Sequence, residues 1–519
     1  MAQAAPSVTL DAGTLIGNAS GAVNGFFGIP FAQPPVGDLR LQLPQRNTAY
    51  TGTVNASVFG ASCIQGATSE PLPPNVDPVA VAYLVETADV LTPSSEDCLT
   101  INVVVPANAT ADSGLPVVWI YGGGFTAGGT SSTNGSVIVE RSIELSEPVI
   151  FVVGALGFLG GQEVKDAGIG NLGLQDQRLA LRWVQTYIGA FGGDPTKVMI
   201  WGQSAGAISV ALQMLTNGGD TEGLFRAAFM QSGSPIPLGD IVGAQDTFDS
   251  VIAATNCTES SDKLQCLREV PTDTLQAALN APGNVSAQQS AILFAPRADG
   301  IFLTDAFQRL VIQGSVANIP FVSGDVDDEG TLFSIGTANF TTDEEFRSYI
   351  GSNYFPFASN TSDFEKLLTL YPNDTTQGSP FNTGTANALN AEFKRFAAIQ
   401  GDIVFQAPRR FFLQNISDER VVYSFLSKRF KTLPDWGSAH ASDLANVFGP
   451  GDMTDYLVRF AATLDPNGDT GIEWPRYNTS SPLLLQFNDG AVPLNISTDD
   501  YRVDGMALIT KILLENPLS

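Results

Sequence analysis

Lys197-Val198-Met199-Ile200-Trp201-Gly202-Gln203-Ser204-Ala205-Gly206-Ala207-Ile208 joins an apolar run to a glycine-flanked serine and then to a second apolar run. Lys197 to Trp201 reads as a strand and Ala207 to Leu215 as a helix, with Ser204 at the corner between them. Small residues on both sides of the serine leave room for a sharp turn that lifts its hydroxyl out of the sheet. In a chain so rich in glycine a G-x-S-x-G pentapeptide arises by chance about half the time. The strand before it and the helix after it therefore carry the reading.

Working outward, Leu99 to Val105, Val117 to Tyr121 and Val149 to Val153 are further mostly apolar runs, as strands buried on both faces of a mainly parallel sheet require. Asn171 to Phe191 reads as a helix, with Leu174, Leu181, Val184 and Ile188 spaced seven, three and four apart. Ser7 to Leu10 and Thr14 to Ile16, separated by Asp11-Ala12-Gly13, predict a hairpin near the start. Strands alternating with helices predict an α/β fold. No repeat or low-complexity linker divides residues 1–519, so a single domain is expected. Gly168-Ile169-Gly170-Asn171-Leu172-Gly173 matches a dinucleotide fingerprint, but the polar Gln162 to Asp166 before it is not a strand, and no such cofactor is expected.

A serine hydroxyl is a poor nucleophile unless a neighbouring base takes its proton. Imidazole suits that task near neutrality, and the chain has one histidine, His440. Ser204 and His440 are thus candidate catalytic residues. Gly122-Gly123-Gly124-Phe125 follows the run ending at Tyr121 and could present backbone N–H groups to a developing oxyanion, together with the Ala205 amide. A zinc site of the H-E-x-x-H type is impossible with one histidine. No metal is expected.

Hydrophobic residues make up 44% of the 519, ample for a large core, while the net charge of −27 repels phosphate backbones and argues against nucleic acid. The four cysteines, Cys63, Cys98, Cys257 and Cys266, allow three pairings. Twelve N-x-S/T sequons, at Asn18, Asn55, Asn108, Asn134, Asn256, Asn284, Asn339, Asn360, Asn373, Asn415, Asn478 and Asn495, point to a secreted chain with N-linked glycans and disulfides. No charged n-region and apolar h-region open the sequence, so any leader is expected to be gone already. No apolar run of about 18 residues could span a membrane.

The chain resembles the type-B carboxylesterase/lipase family of α/β-hydrolases, which includes fungal lipases, sterol esterases and cholinesterases. The resemblance rests on Phe27-Gly28-Ile29-Pro30-Phe31-Ala32-Gln33-Pro34-Pro35, Ser95-Glu96-Asp97-Cys98-Leu99, the glycine run, the serine corner, Asp327-Asp328-Glu329-Gly330-Thr331 and Gly437-Ser438-Ala439-His440. It implies a large, mainly parallel sheet flanked by helices, with a small N-terminal sheet and a lid loop. It also implies a triad of Ser204, Glu329 and His440. The residues alone do not choose Glu329 over Asp325, Asp327 and Asp328. By the same resemblance the oxyanion donors fall on Gly123, Gly124 and Ala205, the disulfides on Cys63–Cys98 and Cys257–Cys266, and a structural ion pair on Arg40 and Glu96.

The implied reaction is cofactor-free hydrolysis of a carboxylic ester through an acyl-enzyme. Asp77-Pro78 is a good helix start, and the apolar segment that follows it, Val79 to Val85, matches the lid of fungal lipases. That favours long-chain lipid or sterol esters, taken at a lipid–water interface, over short-chain or phenolic esters. Family members that serve as non-catalytic adhesion modules lose triad residues, whereas Ser204 and His440 are present here. Two departures stand out. Gln203 occupies the position where relatives carry glutamate, and Val153-Gly154-Ala155-Leu156-Gly157 lacks the arginine that in relatives pairs with the aspartate matching Asp176. Asp176 is therefore expected to find another partner or remain solvated.

Overall fold

The computed structural model describes residues 4–518, apart from 66–71, 88–91, 111–113, 154–156, 282–292 and 450. Among these, β1 (Ser7–Leu10), β2 (Ala12–Ile16) and β5 (Thr51–Asn55) form a small sheet in the order β1-β2-β5. The expected hairpin is the β1–β2 pair, with Asp11 at φ 51° in its turn.

The large sheet contains β3 (Asn18–Ser20), β4 (Val23–Pro30), β6 (Thr100–Pro106), β7 (Leu115–Ile120), β8 (Val149–Val153), β9 (Met199–Gln203), β10 (Ala227–Gln231), β11 (Phe321–Val326), β12 (Val422–Lys428), β13 (Leu483–Asn488) and β14 (Leu494–Thr498). Its order is β14-β13-β12-β11-β10-β9-β7-β8-β6-β4-β3. Neighbours from β13 across to β8 are parallel, and the remaining pairs at the two edges are antiparallel. This is the mainly parallel sheet that the apolar runs predict.

Why those runs lack polar alternation is clear from where their side chains go. Successive strand residues point to opposite faces. In β9, Ile200 enters one core while Met199 and Trp201 enter the other. In β7, Val118 and Ile120 divide in the same way from Val117 and Trp119. The helices Leu172–Tyr187 and Ala205–Leu215 feed the first core, and Ser136–Glu144 and Asp452–Thr463 the second. Both faces are covered, so both must be apolar.

Some boundaries differ from the sequence reading. β9 begins at Met199 rather than Lys197, because Pro195–Lys197 forms a short 3-10 turn capped by the Asp194 side chain. Residues Gln162–Asp166 form a short helix, consistent with the rejected dinucleotide motif. Asp176 is not solvated. It is buried in the helix Leu172–Tyr187, and among the described residues no donor or cation meets it. Burial pushes its carboxyl well above the ordinary value. Gly154, Ala155 and Leu156, where the relatives' arginine is missing, lie outside the described residues, as does the sequon at Asn284.

Cys63 is bonded to Cys98 and Cys257 to Cys266. Arg40 joins the two regions. Its guanidinium contacts Glu96 (Nη2 to Oε2 2.8 Å) and also donates to the carbonyl oxygens of Leu267, at 3.0 Å, and Val270. No helix among the described residues is long and apolar enough to cross a membrane.

Candidate active site

The corner after β9 gives Ser204 a backbone of φ 56°, ψ −128°, a region that L-residues enter only when their surroundings force it. The surroundings here are tight. A Cβ on Gly206 would lie 1.9 Å from the carbonyl oxygen of Ile120 in β7, so only glycine lets the helix Ala205–Leu215 start this close to the neighbouring strand. The Ser204 amide donates to the Gln231 carbonyl at 2.9 Å, which ties the corner to the end of β10.

Three strand ends converge on this point. His440 lies in the connection after β12, and its Nε2 is 2.8 Å from Ser204 Oγ. Glu329 follows β11, and its Oε2 is 2.6 Å from His440 Nδ1. Serine, imidazole and carboxylate thus form one continuous hydrogen-bonded chain at the carboxyl edge of the parallel strands, where α/β sheets place their ligands. All three residues are buried.

Four acids crowd the five positions from Asp325 to Glu329, and their contacts separate them. Asp325 accepts from Arg409 Nε at 2.8 Å, and Asp327 from Lys431 Nζ at 2.6 Å. Asp328 accepts from Lys431, from the Ser438 amide at 2.8 Å and from the Phe381 amide at 2.8 Å. Of the four, Glu329 is the one against the imidazole. Asp328 still matters to the site, because it fastens the loop that carries Glu329 to the backbone two residues before His440.

Electrostatics keep the imidazole neutral. Burial pushes its pKa down to about 4, against the smaller upward pull of Asp443 and Asp325. Two aromatic neighbours that also stack on each other explain the dryness: Phe405 lies 4.5 Å from the ring and Phe333 5.1 Å, centroid to centroid. Phe405 comes from a π-turn, Asp402–Gln406, inserted between the helices Phe393–Gly401 and Ala407–Ile416. Burial likewise pushes the Glu329 carboxyl up, opposed by the Val326 amide, which donates to its Oε1 at 2.8 Å. Gln203 adds a further contact, its Nε2 lying 3.3 Å from His440 Nε2.

Gly122-Gly123-Gly124 follows β7 beside the serine corner, and a Cβ on Gly122 would lie 2.9 Å from Ser204 Cβ. Gly123 has φ 112° and lies so close to the peptide after Ala127 that a Cβ there would be 2.1 Å from the Ala127 oxygen. Among the described residues the amides of Gly123, Gly124 and Ala205 have no hydrogen-bond acceptor. They are available to a ligand. The sequence motifs did not reveal Phe333, Phe405 or the fastening role of Asp328, because only tertiary contacts bring those residues to the imidazole.

The helix Pro78–Thr87 lies over the segment before His440. Asp77 caps it through the Val79 amide at 2.8 Å, and the Trp436 indole donates to the Ala80 carbonyl at 3.0 Å. Ala80 packs with Trp436, Ala439 and Phe393, while Val79 and Val85 are exposed.

A profile of the "Carboxylesterase family" matches residues 4–503. The chain is 40% identical to "Lipase 4" of Diutina rugosa, covering 97% of this chain and 95% of that one. It is 42% identical to "Secreted lipase 1" of Botryotinia fuckeliana, over 93% and 89%, and 38% identical to "Secreted triacylglycerol lipase LIP1" of Gibberella zeae, over 97% and 90%. Among solved structures, Aspergillus niger EstA superposes with a TM-score of 0.81 at 26% identity, covering 98% of this chain and 99% of that one.

Proposed function

This chain belongs to the carboxylesterase family and is a carboxylic-ester hydrolase of the α/β-hydrolase fold; from that premise we propose that Ser204, His440 and Glu329 carry out the hydrolysis, preferentially on long-chain lipid or sterol esters. The observation that carries the reading is the unbroken contact chain, 2.8 Å from Ser204 Oγ to His440 Nε2 and 2.6 Å from Nδ1 to Glu329.

Ser204 Oγ attacks the ester carbonyl carbon while Nε2 takes its proton. The carbonyl oxygen becomes an oxyanion and receives the amides of Gly123, Gly124 and Ala205. Such donors act only on the charge that develops, and each is typically worth about 3 to 4 kcal/mol in the transition state. Glu329 holds the imidazole in the tautomer with its proton on Nδ1 and stabilises the imidazolium that forms. Nε2 then protonates the leaving alkoxide, and an acyl-enzyme remains. Water attacks it by the same route in reverse, Nε2 acting again as base.

Apolar substrates are supported by the helix Pro78–Thr87, whose Ala80 packs with Trp436 and Ala439 just before His440 and whose exposed Val79 and Val85 would meet lipid in the manner of a lid. The lipase names of the relatives support the same class. The expected setting is extracellular, supported by the two disulfides and by exposed sequons such as Asn108 and Asn134, which we take as glycan acceptors.

Two measurements test this. An alkyl phosphonate should label Ser204 stoichiometrically, with labelling and hydrolysis both lost in Ser204→Ala. A series of p-nitrophenyl esters from acetate upward should show kcat/KM rising to a long acyl chain. A maximum at acetate would overturn the lipid-ester reading and favour small or phenolic esters.

A further inference from the structure

A donor amide is useful to an oxyanion only if it already points at the right place, so the conformation of the glycine loop is as consequential as its sequence. Gly123 leans on a single peptide group, the one joining Ala127 to Gly128: a Cβ on Gly123 would lie 2.1 Å from the Ala127 oxygen and 3.3 Å from the Gly128 nitrogen. That peptide is held from outside the loop. The Gln65 side chain donates from Nε2 to the Gly128 carbonyl oxygen at 2.5 Å and accepts at Oε1 from the Gly128 amide at 3.1 Å. One carboxamide thereby satisfies both backbone groups of one residue, as a paired strand would.

Gln65 is itself well anchored. It stands two residues after Cys63, whose disulfide to Cys98 fixes the local backbone. A second contact ties the same part of the chain to the far side of the loop, the Thr92 amide donating to Ser131 Oγ at 3.2 Å.

We propose that Gln65 is a positioning residue for the oxyanion loop: by clamping Gly128 it holds the peptide on which Gly123 rests, and so fixes the direction of the Gly123 and Gly124 amides. The proposal rests on the roles given above to Ser204 and to those two amides. Gln65 touches neither substrate nor the reacting atoms, so its removal should weaken the transition state and leave substrate binding nearly untouched.

The test uses Gln65→Met, which keeps much of the volume and loses both hydrogen bonds. Active sites are first titrated with the phosphonate, so that misfolded molecules are excluded and kcat is expressed per labelled site. A trifluoromethyl ketone then probes the tetrahedral state directly. Ser204 Oγ adds to its carbonyl carbon, the C=O π bond opens to an oxyanion in the loop, and the serine proton passes to His440 Nε2. Removing an oxyanion donor outright costs about 100- to 1,000-fold in kcat. A misaimed donor should cost about tenfold, with KM changed less than about twofold and the ketone inhibition constant raised by the same factor as kcat falls. Should Gln65→Met give no folded protein, Gln65→Asn, too short to reach both groups, is read by the same criteria. A kcat per labelled site within twofold of wild type, or a lowered kcat with unchanged ketone affinity, would overturn the proposal. Failure of the underlying reading looks different, because the wild-type protein itself would then not be labelled at Ser204.

Discussion

Gln203 Nε2 lies 3.3 Å from His440 Nε2, the same ring nitrogen that meets the Ser204 hydroxyl. A neutral carboxamide therefore occupies that side of the imidazole. With burial pushing its pKa down to about 4, the neutral, proton-accepting form of His440 should persist far into acid. The lower limb of kcat/KM against pH is expected near pH 4 to 5. Gln203→Glu would favour the imidazolium and carry that limb upward by about one pH unit or more. Profiles of the two proteins on one soluble ester check this, and coincident limbs would refute it.

Glu329→Gln should leave Ser204 and the loop amides in place but favour the wrong imidazole tautomer. We expect kcat to fall by about 1,000- to 10,000-fold with little change in KM. Phosphonate labelling should still reach one equivalent, only more slowly, because the nucleophile is intact.

Asp176 is a buried carboxylate without a partner among the described residues. Its raised pKa means that the folded state prefers it protonated, so it costs stability increasingly as pH rises from its unfolded value through its folded one. Asp176→Asn removes the charge and should raise Tm by about 1 to 3 °C near pH 8, with a smaller gain near pH 5. Calorimetry at the two pH values reads both the gain and its dependence.

Asp325 and Asp443 are each pushed up to about 7, chiefly by burial. Acids raised in this way destabilise the fold progressively between about pH 4 and pH 7, where the unfolded chain has released protons that the folded chain retains. His440, lowered instead, works in the opposite sense between about pH 4 and 6.5. With Asp176 on the side of the acids, the balance favours mild acid, and the self-repulsion of a net charge of −27 acts in the same direction. Tm should fall from pH 5 to pH 7.5. A flat or rising trend over that interval would contradict these burial effects.

What the sequence revealed and what it hid divide along a physical line. The strand, corner and helix around Ser204 are local, so their small residues and apolar runs were readable. The end of β9 was not, because Gly202 and Gln203 carry no strand signature and join the ladder by pairing with β10 and, at Gly202, with β7 as well. A single histidine made the candidate base legible by elimination. The acid was not legible from composition, since four carboxylates occupy five positions and only their tertiary partners tell them apart. Phe405, 76 residues beyond Glu329, and Gln65, on the far side of a disulfide, reach the site through long-range contacts that leave no local pattern. For Asp176, expected to find another partner or remain solvated, solvation is excluded because the helix carrying it is turned toward the interior, and among the described residues no partner meets it.

The π-turn at Asp402–Gln406 sets the phase of everything after it. Each α-helical residue advances the winding by about 100°, so deleting one residue here would regularise the coil and rotate the downstream helix by that angle. Arg409 and Arg410, whose guanidinium groups lie 3.0 and 2.6 Å from Asp499, would swing off it together, and Phe405 would leave the imidazole. A one-codon change in an outwardly unremarkable helix would thus unseat a buried ionic lattice and strip the His440 ring of its shelter at one stroke.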